Sequence, residues 1–169
     1  MLCDDCEMKN ISILFVCMAN YCRSPTAEGV FRARAERAGL AHRLHIDSAG
    51  THDYRIGDKP DPRSAAYAAQ RGYDLSALRA RQVSADDFTA FDHILAMDNE
   101  NLATLKKACP LEHRHKLGMF MQFASVADSD IVPDPYQGDD DGFDLVLDYI
   151  EDASDGLIDH LRNDQKETM

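Results

Sequence analysis

Cys17 and Arg23 stand in the run C-M-A-N-Y-C-R-S-P, Cys17 to Pro25, a grouping able to hold an anion and attack it. Arg23 carries a planar fork of donors that matches two oxygens of a phosphate group. A loop of this length before a helix can turn its backbone N–H groups toward one point, and the positive end of the helix dipole strengthens the field there. The same field acts on sulfur. A free thiol titrates near ~8.5, and a helix N-terminus or cation lowers that to roughly 3.5–7.5, so Cys17 is expected to be ionised and nucleophilic. A soft anion inside an oxyanion cradle is arranged for in-line attack on phosphorus.

That chemistry needs an element before the loop and another after it. Ile11 to Val16 is a short, almost wholly apolar run rich in β-formers, the pattern of a strand buried on both faces of a parallel sheet. Ser24 and Pro25 are expected to open a helix, Ser as cap and Pro in the first turn. An apolar stripe runs from Ala27 through Val30 and Phe31 to Ala35 and Ala38, and Gly39 is its stop. Further strands are predicted at Leu44–Asp47, His93–Met97 and Lys116–Phe120, with a loop through Ser48 to Thr51. Helices are predicted at Arg63–Arg71, Asp86–Phe91 and Asn99–Lys107. A last helix is marked by Phe143, Val146, Leu147, Ile150, Leu157, Ile158 and Leu161, with acids opposite. Strands alternating with helices imply a single α/β domain: a four-stranded parallel sheet with helices on both faces and the phosphate loop after its first strand. Sites in such sheets lie beyond the carboxyl ends of the strands. Cys17, Ser48 and Asp98 are all expected there.

The chain has 169 residues, room for one domain; residues 1–10 are read as an extension, 11–163 as the domain and 164–169 as a frayed tail. A formal charge of −12 disfavours nucleic acid as a partner while leaving room for one small cationic pocket. From Asp134 to Asp155 no Lys or Arg occurs, a stretch that reads as a solvated face. No apolar run is long enough to span a bilayer, and the first residues lack a secretory pattern, so a cytoplasmic location is expected. The five cysteines argue against a structural disulfide framework.

The run after the first strand resembles the phosphate loop of low-molecular-weight protein tyrosine phosphatases, which usually reads C-L-G-N-I-C-R-S-P. The likeness extends to D-S-A-G-T at Asp47–Thr51, A-R-Q at Ala80–Gln82, M-D at Met97–Asp98 and D-P-Y at Asp134–Tyr136. It implies hydrolysis of phosphotyrosine and aryl phosphates through a phosphocysteine on Cys17. Arg23 would bind the equatorial oxygens and Asp134 would serve as general acid and then base. Met18, Ala19, Asn20, Tyr21 and Cys22 would form the loop. Ser24 would donate to the sulfur, and Ser48 would support Asn20. Tyr54 and Tyr136 would wall an aromatic slot. Cys22 would be able to close a protective disulfide on Cys17. The resemblance implies no metal and no cofactor, phosphotyrosine proteins as substrates (tyrosine kinases among them, by analogy), and inorganic phosphate as product. Two positions depart from the pattern: Ala19 adds a Cβ where Gly is usual, and Tyr21 replaces an apolar residue at the rim.

Two rival functions share these residues. Arsenate reduction begins with the same loop but needs resolving cysteines, and only Cys109 follows Cys22. A non-catalytic phosphotyrosine-binding module would have no use for an acid at Asp134. Cys3 and Cys6 form a C-x-x-C without a second pair or suitable histidines, a weak metal pattern. His113 and His115 read as surface residues and Cys109 as a structural one.

Overall fold

A computed structural model describes residues 10–136 and 138–167. The Cys3–Cys6 pair and nearly all of the expected N-terminal extension lie outside the described residues. Four strands, β1 (Ile11–Cys17), β2 (Leu44–Gly50), β3 (His93–Ala96) and β4 (Leu117–Met119), make one sheet in the order β2-β1-β3-β4. Every pairing is parallel, with Ile13 beside Ile46 on one edge of β1 and beside His93 on the other. The helices are α1 (Arg23–Arg37), α2 (Pro62–Gln70), α3 (Ala85–Ala90), α4 (Asn99–Ala108) and α5 (Asp141–Glu167).

β1 is central because both its faces are apolar. Ile13, Phe15 and Cys17 point to a layer built from α1, α2 and α5, where they meet Val30, Phe31, Ala68, Leu147 and Ile150. Leu14 and Val16 point to the opposite layer, with Phe88 of α3 and Leu105 of α4. Phe15 is fully buried between Phe31 and Phe120, its ring centroid 5.6 and 4.9 Å from theirs in edge-on geometry. The chain leaves β1 toward β2 on one side and later adds β3 on the other. The crevice beyond the carboxyl ends of β1 and β3 is therefore the topological switch point.

Two local expectations change. Ser24 is not the cap of α1: the helix begins at Arg23 with Cys22 as its capping residue and no side-chain cap hydrogen bond. The Ser24 hydroxyl is held instead by Asn20 and Cys17. β2 continues through Ser48 to Gly50, where a loop is predicted. Pairing with β1 carries on to Cys17 beside Gly50, and small residues give no β-forming signal of their own. The acidic run after Asp134 is solvated at Asp144 and Asp148, and these two with Glu151 of α5 all engage Arg71. No helix among the described residues is long and apolar enough to cross a membrane.

Candidate active site

Cys17 ends β1 and its side chain is almost wholly buried at the base of a pocket of ≈ 220 Å³. Its Sγ lies 3.0 Å from Ser24 Oγ. Asn20 Nδ2 donates to Ser24 Oγ at 2.8 Å and to Ser48 Oγ at 2.9 Å, while Asn20 Oδ1 accepts the Arg81 N–H at 3.0 Å. With Asn20 donating to it, the Ser24 hydroxyl has its own proton to offer to the sulfur or to the Ala49 carbonyl at 3.3 Å. Ser48 in turn donates to Glu28 Oε1 at 2.7 Å. Burial pushes the Glu28 carboxyl above its ordinary range, and the bonds from Ser48 and Arg32 only partly offset this.

The loop is held from outside as well. Thr51 N–H donates to the Cys17 carbonyl and His52 N–H to the Met18 carbonyl, each at 2.9 Å. Among the described residues Asn20 is the non-glycine with positive φ, at 55°. Asn accepts that conformation more readily than other L-residues. Ala19 is outside that region, which is why the Cβ at this position is accommodated.

Arg23 is buried (3%), with Nη1 2.6 Å from Asp98 Oδ2 and 3.2 Å from the Val132 carbonyl. Nη2 lies 3.7 Å from Asp134 Oδ2. Burial works against its charge, but Cys17, Asp98 and Asp134 outweigh that and keep the guanidinium protonated. Asp98 has a second task, since its Oδ1 accepts the Asn101 N–H at 2.8 Å and caps α4. Helix capping and arginine orientation are thus joined in one carboxylate.

Met18, Ala19, Tyr21, Cys22, Tyr54, Arg55, Asp134 and Tyr136 form the wall above Cys17 and Arg23. Asn20, Ser24 and Ser48 do not face the pocket; they form its buried backing. Tyr54 (66% exposed) and Tyr136 (42%) stand at the mouth, and His52 stacks on Tyr54 at 5.0 Å. The Cys22 thiol is pushed up to about 12 by burial and then by Asp61, against a lowering hydrogen bond from Ser64. Cys17, Cys22 and Cys109 are all free thiols. Among the described residues no cluster of three or more His, Cys, Asp or Glu is placed to hold a metal.

Sequence reasoning missed Arg55, whose guanidinium lies 4.2 Å from the centre of the Tyr21 ring and donates to Tyr136 Oη at 3.1 Å. It also missed what Asp98 and Glu28 hold. A capping pattern, D-N-E-N at Asp98–Asn101, was legible for Asp98, but nothing local pointed from it to Arg23.

Comparison with known proteins is consistent across sequence and structure. A family model described as low molecular weight phosphotyrosine protein phosphatase matches residues 12–167. A Schizosaccharomyces pombe protein of that description is 46% identical over 136 residues, covering 80% of this chain and 86% of its own. The human protein of the same description is 37% identical over 146 residues, covering 83% and 89%. A crystal structure of a protein tyrosine phosphatase from Entamoeba histolytica, with Hepes in the active site, superposes with a TM-score of 0.90 at 37% identity. It covers 92% of this chain and 99% of that one.

Proposed function

The chain belongs to the low molecular weight phosphotyrosine protein phosphatase family, and from that membership we propose how its own side chains divide the reaction. It is a protein-tyrosine phosphatase that works through phosphocysteine, with phosphoproteins as substrates and phosphate as product. The observation that carries the assignment is the convergence of three groups on one pocket: the Cys17 sulfur, the Arg23 guanidinium and the Asp134 carboxyl.

In the first step Cys17 Sγ attacks phosphorus, the S–P bond forms and the P–O bond to the phenol breaks. Asp134, as the acid, gives its proton to the departing oxygen. Arg23 binds two equatorial oxygens, held in plane by Asp98 and Val132. The uncapped start of α1 offers its N–H groups to the same oxygens. In the second step Asp134 takes a proton from water, the water oxygen bonds to phosphorus and the S–P bond breaks. The Ser24 hydroxyl donates to the sulfur as it regains negative charge. Tyr54 and Tyr136 flank the substrate ring.

Two finer readings belong to the same proposal. Autophosphorylated tyrosine kinases in the cytoplasm are one substrate class. Cys22 is the partner that condenses with a Cys17 sulfenic acid: it gives up its thiol proton as its sulfur bonds to the Cys17 sulfur, the hydroxyl leaves as water, and a disulfide stands in place of irreversible oxidation.

Incubation with a phosphotyrosine peptide tests the core of this. Acid quench during turnover should trap one phosphoryl group on Cys17, and Cys17→Ser should bind the peptide without releasing phosphate. Phosphate release by Cys17→Ser at the wild-type rate would overturn the assignment.

A further inference from the structure

Asp134 lies between Phe123 and α5, where the described residues form no strand or helix. On its N-terminal side buried Val132 ties the segment to the Met97 carbonyl at 2.8 Å and to Arg23, whose Nη2 lies 3.7 Å from Asp134; on its C-terminal side a second run of contacts leads back to the phosphate loop. The Asp61 N–H donates to the Tyr21 carbonyl at 2.9 Å. Asp61 is buried (2%), and its carboxylate caps α2 through the Arg63 N–H at 2.8 Å. The same carboxylate receives Arg63 Nε at 3.3 Å and Nη2 at 3.1 Å. Arg63 Nη2 also donates to the Tyr136 carbonyl at 2.9 Å, and its guanidinium lies over the rings of Phe143 (4.7 Å) and Tyr136 (5.6 Å). The Tyr136 N–H closes the run by donating to Asp134 Oδ1 at 3.1 Å.

We propose that Arg63 is a positioning residue for the general acid: through Asp61 it buckles the Asp134–Tyr136 turn to the phosphate loop, so that proton donor and nucleophile keep one spacing. The inference rests on the reading of Asp134 as the acid. A proton donor must sit within hydrogen-bond reach of the leaving oxygen, and small displacements are costly. The guanidinium suits the task because its rigid fork serves the Asp61 carboxylate and the Tyr136 carbonyl together, which a single ammonium cannot do with the same geometry. Tyr136 is gripped at both ends, its carbonyl by Arg63 and its hydroxyl by Arg55.

The test is a series of aryl phosphates of rising phenol pKa, read as kcat/KM, which reports the first chemical step. Asp134→Ala should lose about 100-fold on phenyl phosphate and far less on dinitrophenyl phosphate. Arg63→Ala should show the same tilt at smaller size, about tenfold on the poor leaving group. Arg63→Lys, which keeps a cation beside Asp61 and so guards against misfolding, should fall between Arg63→Ala and wild type. Combining Arg63→Ala with Asp134→Ala should cost no further tilt, since an absent acid cannot be misplaced. A tilt in Asp134→Ala beside equal losses on all leaving groups in both Arg63 variants would overturn this proposal alone. A flat series in Asp134→Ala would overturn the acid assignment and the proposal together.

Discussion

Asn20 carries more of the site than its size suggests. Its amide uses both donors and its acceptor within the loop's backing, and its backbone occupies the left-handed region at φ 55°. The amide group spaces Ser24 from Ser48, and so leaves the Ser24 proton available to sulfur. Asn20→Ala removes these bonds and leaves a Cβ residue in a conformation it resists. We expect a loss of about 2–3 kcal/mol in urea unfolding and a fall in turnover of an aryl phosphate of about tenfold or more. Asn20→Gly, which relieves the backbone but not the lost bonds, should recover part of the stability and little of the rate. Ser24 offers the companion experiment. Ser24→Ala should slow breakdown of phosphocysteine more than its formation, so that the trapped intermediate accumulates in rapid-quench measurements. Equal slowing of both steps would remove Ser24 from the second step.

At the scale of elements, the phosphate loop is shaped as much by β2 as by its own residues. Gly50 ends β2 against the loop: a Cβ built there would meet the Ala19 carbonyl carbon and Met18 oxygen at 2.8 Å and the Asn20 nitrogen at 2.9 Å. These are backbone atoms of the loop itself, so a Cβ can be accepted only if the loop shifts. Gly50→Ala should therefore displace the loop, weakening inhibition by inorganic phosphate and lowering kcat/KM by about tenfold or more, while far-UV circular dichroism stays near wild type. This also explains the extension of β2 past its predicted end at Asp47. The D-S-A-G stretch has no β-forming residue to announce a strand, yet it pairs with β1 to the last residue because only a flat, small surface can back the loop. Elsewhere the elements were legible: β1, the α1 stripe, β3, α4 and α5 all follow from local periodicity.

Across the whole molecule, a chain of formal charge −12 gathers its acids around a few arginines. Arg71 binds Asp144, Asp148 and Glu151 of α5, and Arg34 binds Glu151 from α1. Burial alone would raise the Glu151 carboxyl, but bonds from Arg71, Tyr73 and Arg34 outweigh it and hold it below its ordinary value. Asp61 behaves alike through Arg63 and backbone N–H groups. A carboxyl depressed on folding adds stability above its unfolded pKa, about 4, and that stability is lost as pH falls through the folded value. Glu28 has the opposite sign. Its raised carboxyl favours the fold most below about pH 4.3, and that contribution fades as pH rises toward its folded value. Urea unfolding should therefore show stability dropping on acidification below about pH 4. The difference between Glu28→Gln and wild type should shift in the variant's favour between about pH 4 and 7. A constant difference over that range would show that Glu28 does not titrate differently on folding.

From the sequence alone came everything that contiguous residues dictate: a buried first strand, a cysteine at its end, an arginine before a helix, an alternation that demands a parallel sheet. Those features are local because strand and helix periods and turn chemistry act over a few residues. Ser24 was misread as a cap for the same reason, since its true partners, Cys17 and Asn20, become neighbours only when the loop curls. Arg23 on Asp98 and Val132, Glu28 beneath Ser48, Arg55 across Tyr21 and Tyr136, and Arg63 between Asp61 and Tyr136 were decided by the tertiary fold. Charged side chains carry no period that names a distant partner. Only closure of the sheet and its layers brings such groups within bonding distance, and there the desolvation of each charge selects the partner that offsets it.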